Sequence, residues 1–111
     1  ESRQYRTDTP DGMAPLDALS EKFARMGLCS VLYDPKKERV EYIAQTARDK
    51  GAKGVVVVLT KFCDPEEFDY PLLKKACAAA GLPVALVEVD RQMEDFEQAR
   101  TLLEAFRATL V

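Results

Sequence analysis

Gly54-Val55-Val56-Val57-Val58-Leu59 is an unbroken apolar run, rich in Val, with Lys50-Gly51-Ala52-Lys53 before it and Lys61-Phe62-Cys63-Asp64-Pro65 after it. β-Branched residues favour extended chain, and so short a run without polar alternation predicts a strand buried on both faces, as in the parallel sheet of an α/β fold. That setting fixes where chemistry belongs, because open parallel sheets take ligands just past the carboxyl ends of their strands. Cys63 falls within a few residues of that edge. A thiol there is a metal ligand, a nucleophile or a small half-buried apolar residue, and the residue types by themselves leave all three open.

The rest of the chain supplies the helices such a sheet needs. Residues 1–12 are polar and contain the turn signal Thr9-Pro10-Asp11-Gly12, which predicts an extended lead-in; residues 13–111 form the predicted core of one α/β domain. Leu16, Leu19, Phe23 and Met26 recur at intervals of three and four, the stripe of a buried helix face, and Gly27 is its expected stop. Residues 28–33 read as a strand or an extended loop. Asp34-Pro35 then predicts a second helix whose inner face is Val40, Ile43, Ala44 and Ala47.

Asp69-Tyr70-Pro71 predicts the start of a third helix, with Pro71 in its first turn and Leu73, Ala76, Cys77 and Ala80 inward; Gly81-Leu82-Pro83 closes it. Val84-Ala85-Leu86-Val87 is a second buried strand ending in Glu88-Val89-Asp90, and Phe96, Ala99, Leu103, Phe106 and Leu110 mark a closing helix. Two apolar strands joined by a helix predict a right-handed parallel crossover, and so a flavodoxin-like or Rossmann-like three-layer unit with a small parallel sheet.

Composition removes several functions. Sixteen basic and nineteen acidic residues give a net charge of -3, without the basic block interleaved with aromatics that a nucleic-acid surface needs. No apolar run approaches the roughly 20 residues that span a bilayer, and no signal-peptide pattern is present, which predicts a soluble cytoplasmic protein without membrane partners. Three cysteines, an odd number spaced far apart, argue against a disulfide framework. There is no histidine, so a Ser-His triad, a Cys-His pair and any His-containing zinc site are excluded within these 111 residues. Neither a Gly-x-Gly-x-x-Gly nor a Walker-type phosphate loop occurs.

Residues 54–106 carry a set of landmarks in order: the apolar strand, Lys61-Phe62-Cys63-Asp64-Pro65, Asp69-Tyr70-Pro71 with Leu73-Lys74-Lys75, Gly81-Leu82-Pro83, Glu88-Val89-Asp90, and Glu97-Gln98-Ala99-Arg100-Thr101 with Leu103-Glu104-Ala105-Phe106. In this order and spacing they resemble the C-terminal part of the 2-hydroxyacyl-CoA dehydratase and benzoyl-CoA reductase subunit family. Where that family carries Arg after the Thr of the last landmark, this chain has Leu102.

The resemblance implies that the chain is the C-terminal part of a longer, multidomain subunit, a reading that its start at Glu1 without Met also suggests. It implies a 4Fe-4S cluster to which Cys63 supplies one thiolate, the other ligands lying elsewhere in the parent. The implied activity is radical elimination of water from an (R)-2-hydroxyacyl-CoA, started by one electron from an ATP-hydrolysing iron-sulfur activator. The implied partners are the acyl-CoA, that activator and a homologous second subunit, in an anaerobic setting. A benzoyl-CoA reductase subunit is the near alternative, and a scaffold or docking domain of the same fold is the non-catalytic one.

Other candidates have simpler readings. Cys77 sits at helical spacing with Leu73 and Ala80 and is expected to be an inert core thiol; Cys29 lies in a segment without a clear element. Asp64, Glu66, Glu67 and Asp69 are expected to cap and shape a helix start. Lys61, Lys74 and Lys75 could meet CoA phosphates but read more simply as a solvated face, and Gln98 and Arg100 as inter-domain packing.

Overall fold

The structure, a computed structural model, describes residues 6–110; residues 1–5 of the expected lead-in lie outside the described residues. Two compact units divide the chain, Glu1–Arg39 and Val40–Val111.

In the first unit, α1 (Pro15–Arg25) begins with its proline in the first turn, where no intrahelical partner is lost, and carries Asp17 at its amino end and Lys22 and Arg25 at its carboxyl end. Arg25 Nε donates to Glu21 Oε1 at 2.7 Å. The predicted buried stripe is a correction: Leu16, Leu19 and Phe23 are 78%, 57% and 67% exposed, and the buried residue of α1 is Ala18. Periodicity identifies the face of a helix that favours burial, not whether anything is present to bury it. Residues 28–33 form a turn and loop rather than a strand, with the Leu32 amide bonded to the Cys29 carbonyl at 3.2 Å. Asp34 and Pro35 lie in a turn closed by the Lys37 amide on the Asp34 carbonyl. Lys37 takes a left-handed φ of 54°, which a helix does not tolerate, so α2 (Glu38–Asp49) starts later than the Asp-Pro signal suggests.

The second unit has α2, β1 (Val55–Thr60), α3 (Asp64–Ala79), β2 (Val84–Val89) and α4 (Glu97–Ala108). The two strands pair in parallel, from Val55 with Val84 to Thr60 with Val89, making the predicted α/β crossover with α3 as the connection. Gly51 and Gly81 end α2 and α3 in left-handed conformations that a Cβ would strain. Beyond Gly81, the Leu82 amide returns to the Cys77 carbonyl at 2.9 Å.

Strand geometry decides which side each residue serves. Val55, Val57 and Val84 pack on a core of Val40, Ala44, Leu73, Cys77 and Leu82, so α2 and α3 cover one face of the sheet. The opposite face receives α4: a Cβ on Gly54, which shares the even register of Val56 and Val58, would lie 2.8 Å from Phe106 Cζ and 2.9 Å from Leu110 Cδ2. Helices on both faces of a parallel pair give the small α/β layer structure that the sequence predicts. The expectation that the Val-rich strand is buried on both faces holds for one face only. Val56 and Val58 remain 43% and 63% exposed, because α4 contacts β2, where Ala85 and Val87 are buried.

The start of α3 is a second correction. The helix begins at Asp64, not near Pro71, with Pro65 in the first turn and Pro71 inside. Asp64-Pro65 satisfies the same rule as Tyr70-Pro71 and comes first in the chain; Asp64, Glu66 and Glu67 then place negative charge against the partial positive end of the helix. Asp69, expected near the cap, is instead buried within the helix at 4% exposure.

Candidate functional site at the carboxyl rim of the sheet

Both strands run in one direction, so β1 and β2 end on a common rim. The ladder continues one bond past β1, with the Lys61 amide donating to the Val89 carbonyl at 2.9 Å. Phe62 then turns the chain with φ 65°, an outlier for a bulky residue, and is itself 90% exposed. Strained backbone of this kind persists where surrounding structure holds it and gathers at functional sites.

Cys63 follows immediately, at the N-cap position of α3. Its amide donates to the Thr60 carbonyl at 3.1 Å, and its own carbonyl accepts from the Glu66 and Glu67 amides, each at 3.0 Å. The side chain makes no capping hydrogen bond. Every main-chain group of Cys63 therefore serves the turn, while the half-buried thiol has no part in it.

Of the other two cysteines, Cys77 shares this unit but is not brought to the rim, and Cys29 belongs to the first unit. Cys77 lies nearly four turns along α3, fully buried, and burial pushes its thiol above the ordinary cysteine range. This agrees with the reading of Cys77 as a core residue. Cys29 is half-buried in the first unit, on a cleft of about 490 Å³ that it lines with Leu32 and Tyr33. Among the described residues no group of three or more His, Cys, Asp or Glu is arranged to hold a metal ion. One thiol on the rim suits one cluster ligand and does not make a cluster site by itself, which takes about three or four protein ligands.

Pattern reading missed a cleft of about 530 Å³ on the same rim, bounded by Lys61, the end of β2, the β2–α4 loop and the first turns of α4. Gln98 lines it, whereas Arg100 lies on α4 in ion pairs with Glu97 at 2.9 Å and Glu104 at 4.0 Å. The loop is held at both ends by aspartates: Asp90 Oδ1 accepts from the Gln92 amide at 3.0 Å and Asp95 Oδ1 from the Glu97 amide at 2.8 Å. Of the three lysines, Lys61 lines this cleft, and Lys74 and Lys75 stand exposed on α3 as a solvated face. The signal in the sequence was Glu88-Val89-Asp90 at a strand end, but a cleft requires the spatial neighbour Lys61 as well.

No helix among the described residues is long and apolar enough to cross a membrane. Residues 1–110 match the family model described as 2-hydroxyglutaryl-CoA dehydratase, D-component. The chain is 53% identical over 110 residues to the (R)-phenyllactyl-CoA dehydratase beta subunit of Clostridium sporogenes, with 99% of this chain and 29% of that protein covered. It is 40% identical over 114 residues to the beta subunit of the (R)-2-hydroxyglutaryl-CoA dehydratase of Acidaminococcus fermentans, covering 99% of this chain and 30% of that protein. A subunit of the benzoyl-CoA reductase of Thauera aromatica is 27% identical over 111 residues, covering 95% of this chain and 29% of that protein. The chain thus spans about three-tenths of the length of the curated relatives it matches. The match running through residues 1–110 bears out the resemblance carried by the rim and helix landmarks, and the chain belongs to the family of the 2-hydroxyglutaryl-CoA dehydratase D-component.

Proposed function

We propose that this chain is part of the beta subunit of a 2-hydroxyacyl-CoA dehydratase, and that Cys63 supplies one thiolate ligand to a 4Fe-4S cluster at the carboxyl rim of its sheet. The observation that carries the reading is the turn at Cys63, whose main chain is fully used in joining β1 to α3 while its thiol is left over at the rim. Soft thiolates are the ligands such clusters take, and the remaining ligands come from beyond the described residues. When bound, the cluster supplies single electrons and an iron site open to a substrate oxygen. The chain's own part is to fix the Sγ position through β1 and the first turn of α3, and to present the cleft at Lys61 and Gln98 beside it.

Dehydratase relatives at 53% and 40% identity support an (R)-2-hydroxyacyl-CoA as substrate and elimination of water as the reaction. Their names as beta subunits support a partner subunit; that this partner is homologous and that an ATP-hydrolysing iron-sulfur activator is the electron source are what the resemblance of residues 54–106 implies. A benzoyl-CoA reductase subunit is the second reading, supported by the 27% relative.

The test is iron and acid-labile sulfide per protomer in the full-length subunit, purified with its partner without oxygen, for wild type and Cys63→Ala. Loss of one cluster's worth of both in the variant, with the circular dichroism spectrum unchanged, is the expected result. Iron and sulfide at wild-type level would remove Cys63 from the ligand set and favour a scaffold domain.

A further inference from the structure

The turn that delivers Cys63 is built against the preference of the residue before it. Thr60, Lys61, Phe62 and Cys63 form a four-residue turn closed by the Cys63 amide on the Thr60 carbonyl at 3.1 Å. Phe62 takes the third position with φ 65°, a conformation that calls for glycine or asparagine because a Cβ crowds the backbone there. The chain places a bulky aromatic at this point, and the ring stands 90% exposed. Two unfavourable features thus meet at one residue, left-handed backbone and an apolar ring in water, and packing among the described residues offsets neither. Glycine would close the same turn with less strain, so the ring answers a need other than the turn.

Resting on the reading of Cys63 as a cluster ligand, we infer that the Phe62 ring covers the cluster beside the Cys63 sulfur, keeps water from it and holds its reduction potential low. Consecutive Cα atoms lie about 3.8 Å apart, so a ring at position 62 is within reach of what the Cys63 sulfur holds. Its neighbours in sequence are polar: Lys61 precedes, and Asp64, Glu66 and Glu67 follow in the first turn of α3. Phe62 is the one large apolar side chain from Thr60 to Glu67. A cluster held by thiolates is anionic, and reduction adds negative charge that water stabilises. An apolar cover removes that water, disfavours the reduced form and lowers the potential; it also shields the iron–sulfur bonds from hydrolysis.

The test uses the full-length subunit, purified with its partner without oxygen, as wild type, Phe62→Gly, Phe62→Asn and Phe62→Tyr. Gly and Asn remove the ring and suit the left-handed backbone, so the turn is retained; Tyr keeps the ring. For the cluster that Cys63→Ala removes, the midpoint potential is read by redox titration with electron paramagnetic resonance, and lability by the rate at which an iron chelator bleaches the visible absorption. Phe62→Gly and Phe62→Asn should titrate at a higher potential than wild type and lose iron about tenfold faster, with unchanged circular dichroism, while Phe62→Tyr stays near wild type in both. Loss of the cluster during purification of the two ring-free variants, with Phe62→Tyr still loaded, is the same result in stronger form. Wild-type potential and iron release in the ring-free variants would overturn the inference and leave Cys63 as a ligand. So would a shift in Phe62→Tyr equal to theirs, because the ring is present there, or an altered circular dichroism spectrum in both ring-free variants, which would make the ring a packing residue. A wild-type complex without iron and sulfide would overturn the cluster reading and this one together.

Discussion

Gly54 shows how tightly a single position can tie two elements together. A Cβ there would meet Phe106 Cζ at 2.8 Å, Leu110 Cδ2 at 2.9 Å and the Pro83 carbonyl oxygen at 3.1 Å. The side chains can move aside and the carbonyl cannot, so Gly54→Ala should destabilise by about 1–3 kcal/mol, read as a lower urea midpoint. Combined with Phe106→Leu, the loss should be smaller than the sum of the two single changes, because the same contact is relieved. Cys77 gives a second residue-scale prediction. Its raised pKa means that the folded chain keeps a proton the unfolded chain gives up, so its contribution is intact below the ordinary thiol range. That contribution declines as pH climbs above about 8.5 and on through the folded pKa. Denaturation midpoints should therefore fall more steeply with pH in wild type than in Cys77→Ala.

Elements were legible in the sequence to different depths. The inward placement of Cys77 followed from helical spacing, since α3 needs one buried stripe and Leu73, Cys77 and Ala80 are its small or apolar members. Where α3 starts was not legible, because Pro65 and Pro71 both satisfy the preference for proline near a helix beginning, and local preference does not rank them. With the helix starting at Asp64, Pro71 sits where it offers no amide to the Glu67 carbonyl one turn earlier. Pro71→Ala should then raise stability by about 1 kcal/mol or more, measured by thermal unfolding of the variant. A lower melting temperature would mean that the fixed φ of the proline stabilises α3 by more than the missing hydrogen bond costs it. The stripe on α1 was legible as a stripe and misleading as a core. Leu16 and Phe23 have the right spacing, but burial depends on a neighbour that spacing does not name.

At the scale of the whole molecule, the sheet is two strands wide among the described residues, and one of its edges belongs to the most apolar stretch of the chain. Val55 and Lys61 donate their amides toward β2, so by alternation the amides of Val56, Val58 and Thr60 face away from it. Amides turned outward beside exposed valines form a template for another strand. Val58→Lys should leave the melting temperature nearly unchanged and keep the chain monomeric to higher concentration in sedimentation equilibrium. Equal self-association in variant and wild type would place the sticky surface elsewhere, with the exposed face of α1 the next to alter. The cleft beside Gln98 was illegible for a reason that belongs to this scale. It exists only where Lys61 from one strand end meets the loop after the other, and parallel pairing brings those two stretches together across the whole of α3.

The turn at Cys63 closes through atoms that every amino acid except proline possesses. If the thiol serves a cluster as proposed, a variant there could melt near the wild-type temperature, show the same spectrum and be inert. Surveys of damage that score only folding would pass over it, and a family carrying this turn could retire the sulfur in one lineage and keep the architecture in working order for some other use.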